Sequence, residues 1–429
     1  MNFEKGQPML LRPSLLQSTP SGPIPSQLRV ELPSGISLGA ADAPVRVLLR
    51  RWSSLPRLKA GRIGELAEDY VEGRVELQGS MRHIMATVLD LLPDNPAQKP
   101  DPWWSRWRQR TRALAAHSRS KDAAQIAFHY DICDAFYALW LDPRRVYSCA
   151  YYRDANMSLE QAQQAKLDQI CRKLMLKPGE RLLDIGAGWG GLLLWAAEHY
   201  GVDATGITLS HNQHQHVQRL IAEKGLQSQV RIELLDYREL DESKPFDKIA
   251  SVGMFEHVGQ AQLPTYLRKI WRLLRPGGLV MNHGITSGST RNHQLGAGLG
   301  EFIEKYIFPG GQLLHVSTVL SAMAQAGLEM VDTENLRPHY ARTLWAWSDA
   351  LESQLAAALQ ALASDAGEQH ARRTLRAYRL YLAGCAMGFE QGWIGLHQML
   401  AIRPSGQVED GRLRGSQSSY PFTRDHLYR

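Results

Sequence analysis

The sequence lacks any long hydrophobic run. Its longest apolar stretches are of the size of "LLLWAA" at 192–197, far short of the roughly 20 residues that cross a bilayer, so no membrane-spanning helix is expected. Cysteine is scarce. Cys133, Cys149, Cys171 and Cys385 show no metal-ligand spacing and read as reduced thiols, not as a disulfide framework. An export signal is lacking as well. "MNFEKGQPMLLRPSLLQSTPSGPIPSQ" has scattered prolines, an acid beside its early Lys and no apolar core segment, which predicts a flexible lead-in over 1–27 and a cytoplasmic protein. No internal repeat or low-complexity tract is present. Acid is absent from "RVLLRRWSSLPRLKAGR" at 46–62, where the basic residues cluster.

What is present is an ordinary globular composition, with 44% hydrophobic and 21% charged residues. A chain of 429 residues is too long for one ordinary core and suggests two domains. The net charge of +6 favours an anionic partner. "DPWWSRWRQRTR" at 101–112 interleaves Trp103, Trp104 and Trp107 with four arginines. That mixture suits nucleic acid or an anionic bilayer surface, where Trp sits at headgroup depth; it also suits a solvated basic face over a Trp core. Turn punctuation through 28–90 predicts a small α+β module, and the prolines of "LLPDNPAQKPDP" at 91–102 predict a linker. The expected division is therefore a domain over 28–120 and a second over 121–429.

From about residue 177 strand and helix alternate: "ERLLDI", "LLLWAAEHYG", "VDATGITLS", "HNQHQHVQRLIAEKGL", "VRIELLDY", "FDKIASV", "LPTYLRKIWRLL", "LVMNHGI". This rhythm predicts an α/β fold built on a doubly wound, mostly parallel sheet, in which ligands lie beyond the carboxyl ends of the strands. Those ends carry Asp184 with Gly186, Gly188 and Gly191, then Thr208 and Ser210, then Asp236 and Tyr237, then Glu256 with His257, then His283.

"GAGWGG" at 186–191 fits G-x-G-x-x-G in a strand-loop-helix context. Such a loop serves dinucleotides and S-adenosylmethionine alike. A dinucleotide site wants an acid about 20 residues onward for the ribose hydroxyl, and the second strand ends "GITLS" without one. Asp184 before the loop and Asp236 after the third strand are instead placed for a methionyl group and an adenine, and the "RPGG" turn resembles the class I methyltransferase pattern.

Four further stretches carry a more specific resemblance: "FHYDICDAFYALWLDPRRVYSCAYY" at 128–152, "SVGMFEHVG" at 251–259, "IEKYIFPGG" at 303–311 and "RAYRLYLAGCAMGFEQGWIGLHQ" at 376–398. In order and together they resemble the cyclopropane-fatty-acyl-phospholipid synthases. The resemblance implies a seven-stranded methyltransferase sheet with helical additions that bind an acyl chain, and a basic N-terminal domain that docks on lipid. It implies transfer of a methyl group from S-adenosylmethionine to a cis double bond of an unsaturated phospholipid, then proton loss from the methylated cation and closure to a cyclopropane, with bound bicarbonate as proton acceptor. A relative with another fate for the cation would give a methyl- or methylene-branched chain.

The positions matching the ion site are Cys149, Glu256, His283, Ile285 and Tyr340, with His257 packed behind the carboxylate. The cofactor positions expected are Tyr147, Ser148, Asp184, Gly186, Gly188, Trp189, Gly190, Thr208, Ser210, Gln213, Asp236 and Tyr237. Taken singly, Cys149 also reads as a small buried hydrophobe and His283 as a core histidine. The resemblance further implies a homodimer at the inner face of the membrane. No nucleic-acid partner is expected, because no Asn-Pro-Pro-Tyr motif or cysteine nucleophile motif for base methylation is present. The loop "TSGSTRNHQLGAGLGE" at 286–301 has no assigned contacts at this level, and it departs from the family pattern.

Overall fold

Residues 18–19, 22–92, 94–97, 133–292, 294–409, 412–414 and 420–427 are described by the structure, a computed structural model. The expected boundary near residue 120, the Arg and Trp stretch at 101–112 and most of the lead-in lie outside them. Strands β1 (Ser18–Thr19) and β2 (Gly22–Pro23) pair antiparallel. The next four strands, β3 (Leu28–Glu31), β4 (Ser37–Gly39), β5 (Val45–Leu49) and β6 (Val75–Gln78), make one sheet in the order β4-β3-β5-β6. Helices α1 (Ser54–Lys59), α2 (Ile63–Val71) and α3 (Met81–Leu91) complete this N-terminal module.

The second sheet holds β7 (Arg181–Ile185), β8 (Asp203–Thr208), β9 (Val230–Leu234), β10 (Phe246–Val252), β11 (Leu274–Ser287), β13 (Glu329–Asn335) and β14 (Ile394–Ile402) in the order β13-β14-β11-β10-β7-β8-β9. A two-residue strand, β12 (Leu314–His315), pairs with β11 off this path. All neighbours are parallel except β14, which runs against β11 and β13. The expected seven strands are thus present, joined by one short extra.

The sheet is buried on both faces, and its strands accordingly read as unbroken apolar runs. In "RLLDI" of β7, Leu182 packs into the core under α5 (Leu159–Lys173), α6 (Gly191–Tyr200) and α7 (His211–Glu223). The next residue, Leu183, packs into the opposite core under α9 (Leu263–Leu273) and α11 (Val316–Gln325). A third core joins the N-terminal module to α4 (Asp134–Ala138), α10 (Leu299–Tyr306), α12 (Arg337–Glu352), α13 (Leu355–Ala366) and α14 (Glu368–Glu390). The late aromatic segment is helical only to Glu390; Gln391–Gly392 turns the chain, and the β-prone "WIGLHQ" continues into β14.

The loop at 286–301 has contacts after all. Gly64 N donates to Ala297 O at 2.9 Å and Gly296 N to Pro96 O at 3.0 Å. A Cβ on Gly64 would fall 2.3 Å from the carbonyl oxygen of Gly298. The glycines let two backbones touch, and this seam stitches the N-terminal module to the catalytic body.

Candidate active site

The strand order reverses between β7 and β10, and a cleft opens there beyond the carboxyl ends. It is lined by Asp184, Gly186, Gly188 and Trp189 from β7 and its loop, by Thr208 and Gln213 from β8 and α7, by Tyr237, and by Tyr147 and Ser148. Helix α5 holds the Tyr147 segment in place: Gln163 Nε2 donates to Ser148 O at 2.8 Å and to Val146 O at 3.1 Å. Trp189 donates from Nε1 to Asp134 at 3.3 Å, and Asp134 is paired with Arg145 at 2.9 Å.

Three expected cofactor positions do not line this cleft. Asp236 turns to Arg238, accepting from its backbone N at 2.9 Å and from Nη2 at 2.6 Å. Ser210 spends its hydroxyl capping α7, where it accepts from Gln213 N at 3.3 Å, so it positions Gln213. Gly190 faces α7, and a Cβ there would sit 3.0 Å from Val217.

Lys166 was missed. It is buried on α5, lines the cleft and donates to Ser148 Oγ at 2.9 Å. Its signal was periodicity: in "AQQAKLDQI" a lysine falls on the stripe of Ala162, Ala165 and Ile170, all of them buried. Burial lowers its pKa to about 8, opposed by Asp142, Cys149 and Asp184. Burial raises the Asp184 carboxyl to about 7, opposed by Lys166.

If ionised Asp184 is the form that binds a cationic methionyl group, the group is mostly protonated below about 7 and affinity is lost on the acid side. Calorimetry across neutral pH should therefore show S-adenosylmethionine binding weakening by up to roughly tenfold per pH unit on acidification. Asp184→Asn should flatten the profile at the weak end; an unchanged slope in that variant would remove Asp184 from the binding site.

A second cavity adjoins the first, sharing Tyr147, Ser148, Gly253 and His257. All five expected ion-site residues, Cys149, Glu256, His283, Ile285 and Tyr340, line it. Strand β10 ends at Val252, opposite His283 of β11. Gly253, at φ 70°, then turns the chain into the single helical turn α8 (Phe255–Val258), so Glu256 sits on that turn and not on the strand. Glu256 Oε1 accepts from Ile285 N at 2.5 Å, while Oε2 is buried without a partner. Both ring nitrogens of His283 are also buried and unpartnered. A Cβ on Gly284 would lie 2.7 Å from the carboxylate, so the glycine makes room for it.

Burial raises the Glu256 carboxyl to about 7, with the Ile285 amide opposing. Burial, reinforced by Lys166 and Lys173, holds His283 well below its ordinary pKa and therefore neutral. Burial also raises the Cys149 thiol, so at neutral pH it is no thiolate nucleophile. Tyr340 is buried with its ring 4.7 Å from Phe389. His257, expected behind the carboxylate, stands at the junction of the two cavities with its ring 5.7 Å from Phe308. No lysine or arginine is among the described residues that line this second cavity.

The sequence model of the mycolic acid cyclopropane synthetase family matches residues 117–399. A probable fatty acid methyltransferase of Pseudomonas putida is 42% identical over 409 residues, covering 94% of this chain and 96% of that protein. Cyclopropane mycolic acid synthase 1 of Mycobacterium tuberculosis is 38% identical, over 64% of this chain and 95% of its own. Among solved structures, the cyclopropane synthase MmaA2 from Mycobacterium tuberculosis superposes with a TM-score of 0.59 at 35% identity, covering 65% of this chain and 98% of that one. The mycolic acid cyclopropane synthase CmaA1, complexed with SAH and CTAB, gives 0.59 at 36% identity and the same coverage. With a methyltransferase sheet, a glycine-loop cleft and these relatives, the chain belongs to the mycolic acid cyclopropane synthetase family and is an S-adenosylmethionine-dependent lipid methyltransferase.

Proposed function

We propose that this enzyme methylates the cis double bond of an unsaturated phospholipid acyl chain and closes the product to a cyclopropane, with bicarbonate held at Glu256 as proton acceptor. The observation that carries this reading is the set of buried, unpartnered polar atoms, Glu256 Oε2 and both His283 nitrogens, in a cavity that adjoins the cofactor cleft. Buried polar atoms demand partners. A small anion with one hydroxyl and two acceptor oxygens fits: Glu256 accepts from the hydroxyl, while neutral His283 and Tyr340 donate. The Ile285 amide is used to hold Glu256. When bound, S-adenosylmethionine supplies the methyl group and bicarbonate takes the proton.

The residues of the chain supply orientation and electrostatics. Glu256 aims the acceptor without itself adding to the cation. A lining without lysine or arginine adds no repulsion to a transient carbocation, and the face of Tyr147, shared by both cavities, is favourable to positive charge. Neutral His283 serves the same end, since an imidazolium there would oppose the cation.

The surface contact belongs to the same proposal. Arg57 and Arg62 of the basic stretch are paired with acids, which leaves exposed Arg46, Arg50, Arg51 and Trp52, the last 50% exposed, to meet anionic headgroups.

Similarity to a probable fatty acid methyltransferase of Pseudomonas putida favours a second reading, a methyl- or methylene-branched product. Lipids from a host expressing the chain decide between them. Cyclopropanation adds one CH₂ and removes the alkene. A methylene branch has the same mass and keeps an alkene, so mass spectrometry must be paired with double-bond cleavage. A CH₂ gain in chains that still cleave would overturn ring closure.

A further inference from the structure

A third cavity, almost wholly apolar, lies inside the N-terminal module. Its walls are the inner face of that sheet, with Val47 and Leu77, helices α2 and α3 with Ala67 and Val88, and helix α14 opposite with Gly384 and Gly388. It shares Leu295, Ile303, Tyr381, Cys385 and Ile394 with the cavity that holds Glu256 and His283. The two are therefore adjoining parts of one apolar passage running from the reacting centre into the module. None of its lining residues is charged. The hydroxyl of Thr87 donates to His83 O at 2.9 Å within its own helix, so it asks for no partner.

Well-packed cores leave few voids larger than a water molecule, yet here a cavity of about 140 Å³ stands open. Gly384 marks it as built. A glycine in the middle of a 23-residue helix weakens that helix, and a Cβ added there would meet no atom within 4 Å. The missing side chain is replaced by space. The family model begins at residue 117, and the mycolic acid cyclopropane synthases, nearly complete in their matches, correspond to about two thirds of this chain. The module's wall of the cavity is formed by residues before that match.

We infer that the N-terminal module houses the methyl end of the substrate's acyl chain, so that its cavity measures the length of hydrocarbon beyond the double bond. The inference rests on the acyl reading of the substrate given above. The ester and headgroup cannot occupy a lining without charge and with few polar atoms, because their desolvation would go largely uncompensated. Hydrocarbon gains by burial there. The methyl end is thus threaded past Tyr381 and Cys385, and the double bond stops beside Glu256.

The test uses phospholipid vesicles whose unsaturated chain is palmitoleoyl, oleoyl or cis-vaccenoyl. Oleoyl exceeds palmitoleoyl by two carbons on the methyl side; cis-vaccenoyl exceeds it by two carbons on the carboxyl side. Gly384→Leu, from the α14 wall, and Ala67→Leu, from the module's own wall, should each lower the oleoyl-to-palmitoleoyl turnover ratio by roughly tenfold, the effect of denying burial to two methylenes. The ratio of cis-vaccenoyl to palmitoleoyl should not move. Gly384→Leu should not lower the melting temperature, since leucine is the better helix former. Unchanged ratios in both variants would overturn the inference, and a shift in the cis-vaccenoyl ratio alone would reverse the direction of the chain.

Trp393, which lines the cavity, gives a readout that needs no turnover. Stearate brominated near its methyl end should quench more fluorescence than stearate brominated near its carboxyl group, and Trp393→Phe should abolish the difference. Quenching of this pattern without turnover of any vesicle would sink the proposed reaction and leave the cavity's ligand standing. Equal quenching by the two stearates would sink the cavity's role.

Discussion

Glu256→Gln is expected to lower turnover by a factor on the order of 10² to 10⁴, the usual contribution of a positioned proton acceptor, while S-adenosylmethionine affinity stays nearly intact. The geometry makes this a clean substitution. Glu256 Oε1 holds the Ile285 amide, and the carbonyl oxygen of a glutamine can keep that bond. The change then falls on Oε2, the buried atom with no partner, which becomes an NH₂ that donates where the ion's hydroxyl needs an acceptor. Side-chain volume hardly alters, so packing against Gly284 survives. Because the carboxyl is raised to about 7, turnover by the native enzyme should climb with pH through neutrality as Glu256 ionises, and the glutamine variant should lack that limb. The measurement is turnover on unsaturated phospholipid vesicles in carbonate-depleted and carbonate-supplemented buffer. Partial rescue by bicarbonate would assign the loss to weak ion binding. Near-normal turnover by the variant in depleted buffer would sink both the carboxylate's role and the ion's.

Gly188→Val is expected to weaken S-adenosylmethionine binding by at least about a hundredfold, a loss of roughly 3 kcal/mol. Gly188 lines the cleft at φ 56°, a conformation that strains any β-branched residue. A Cβ there would touch nothing within 4 Å, because the adjacent space is the cleft itself. The added methyls would stand where the ligand lies. Calorimetry on the folded variant, with circular dichroism to verify the fold, reads the effect; unchanged affinity would move the cofactor elsewhere.

The alternation of strand and helix was legible because each element carries its own period and its own stop, and the glycine loop because it lies on contiguous residues. The cluster of Cys149, Glu256, His283, Ile285 and Tyr340 was legible only through resemblance, since its members come from four separate elements or loops that no local pattern connects. Asp236 and Ser210 show what sequence alone leaves open: a polar residue at a strand end is equally a capping residue, and the fold adds bonds to Arg238 and to the start of α7 for these two. The end of helix α14 was not legible, because aromatic residues serve helix and strand alike and the decision falls to pairing with β11 and β13. The module's cavity left no trace in the sequence beyond a glycine in a helix, because emptiness is a property of several walls at once.

The seam at Gly64 and Gly298 ties the response of the two parts to heat. Module and catalytic body share one apolar core and touch backbone to backbone, so loosening of either frees the other and opens the apolar cavity between them to water. Heat inactivation should then follow the weaker of the two parts, however firmly the methyltransferase sheet itself holds. Reinforcing that sheet alone should then help only up to the stability of the other part, whereas a tighter seam would protect both.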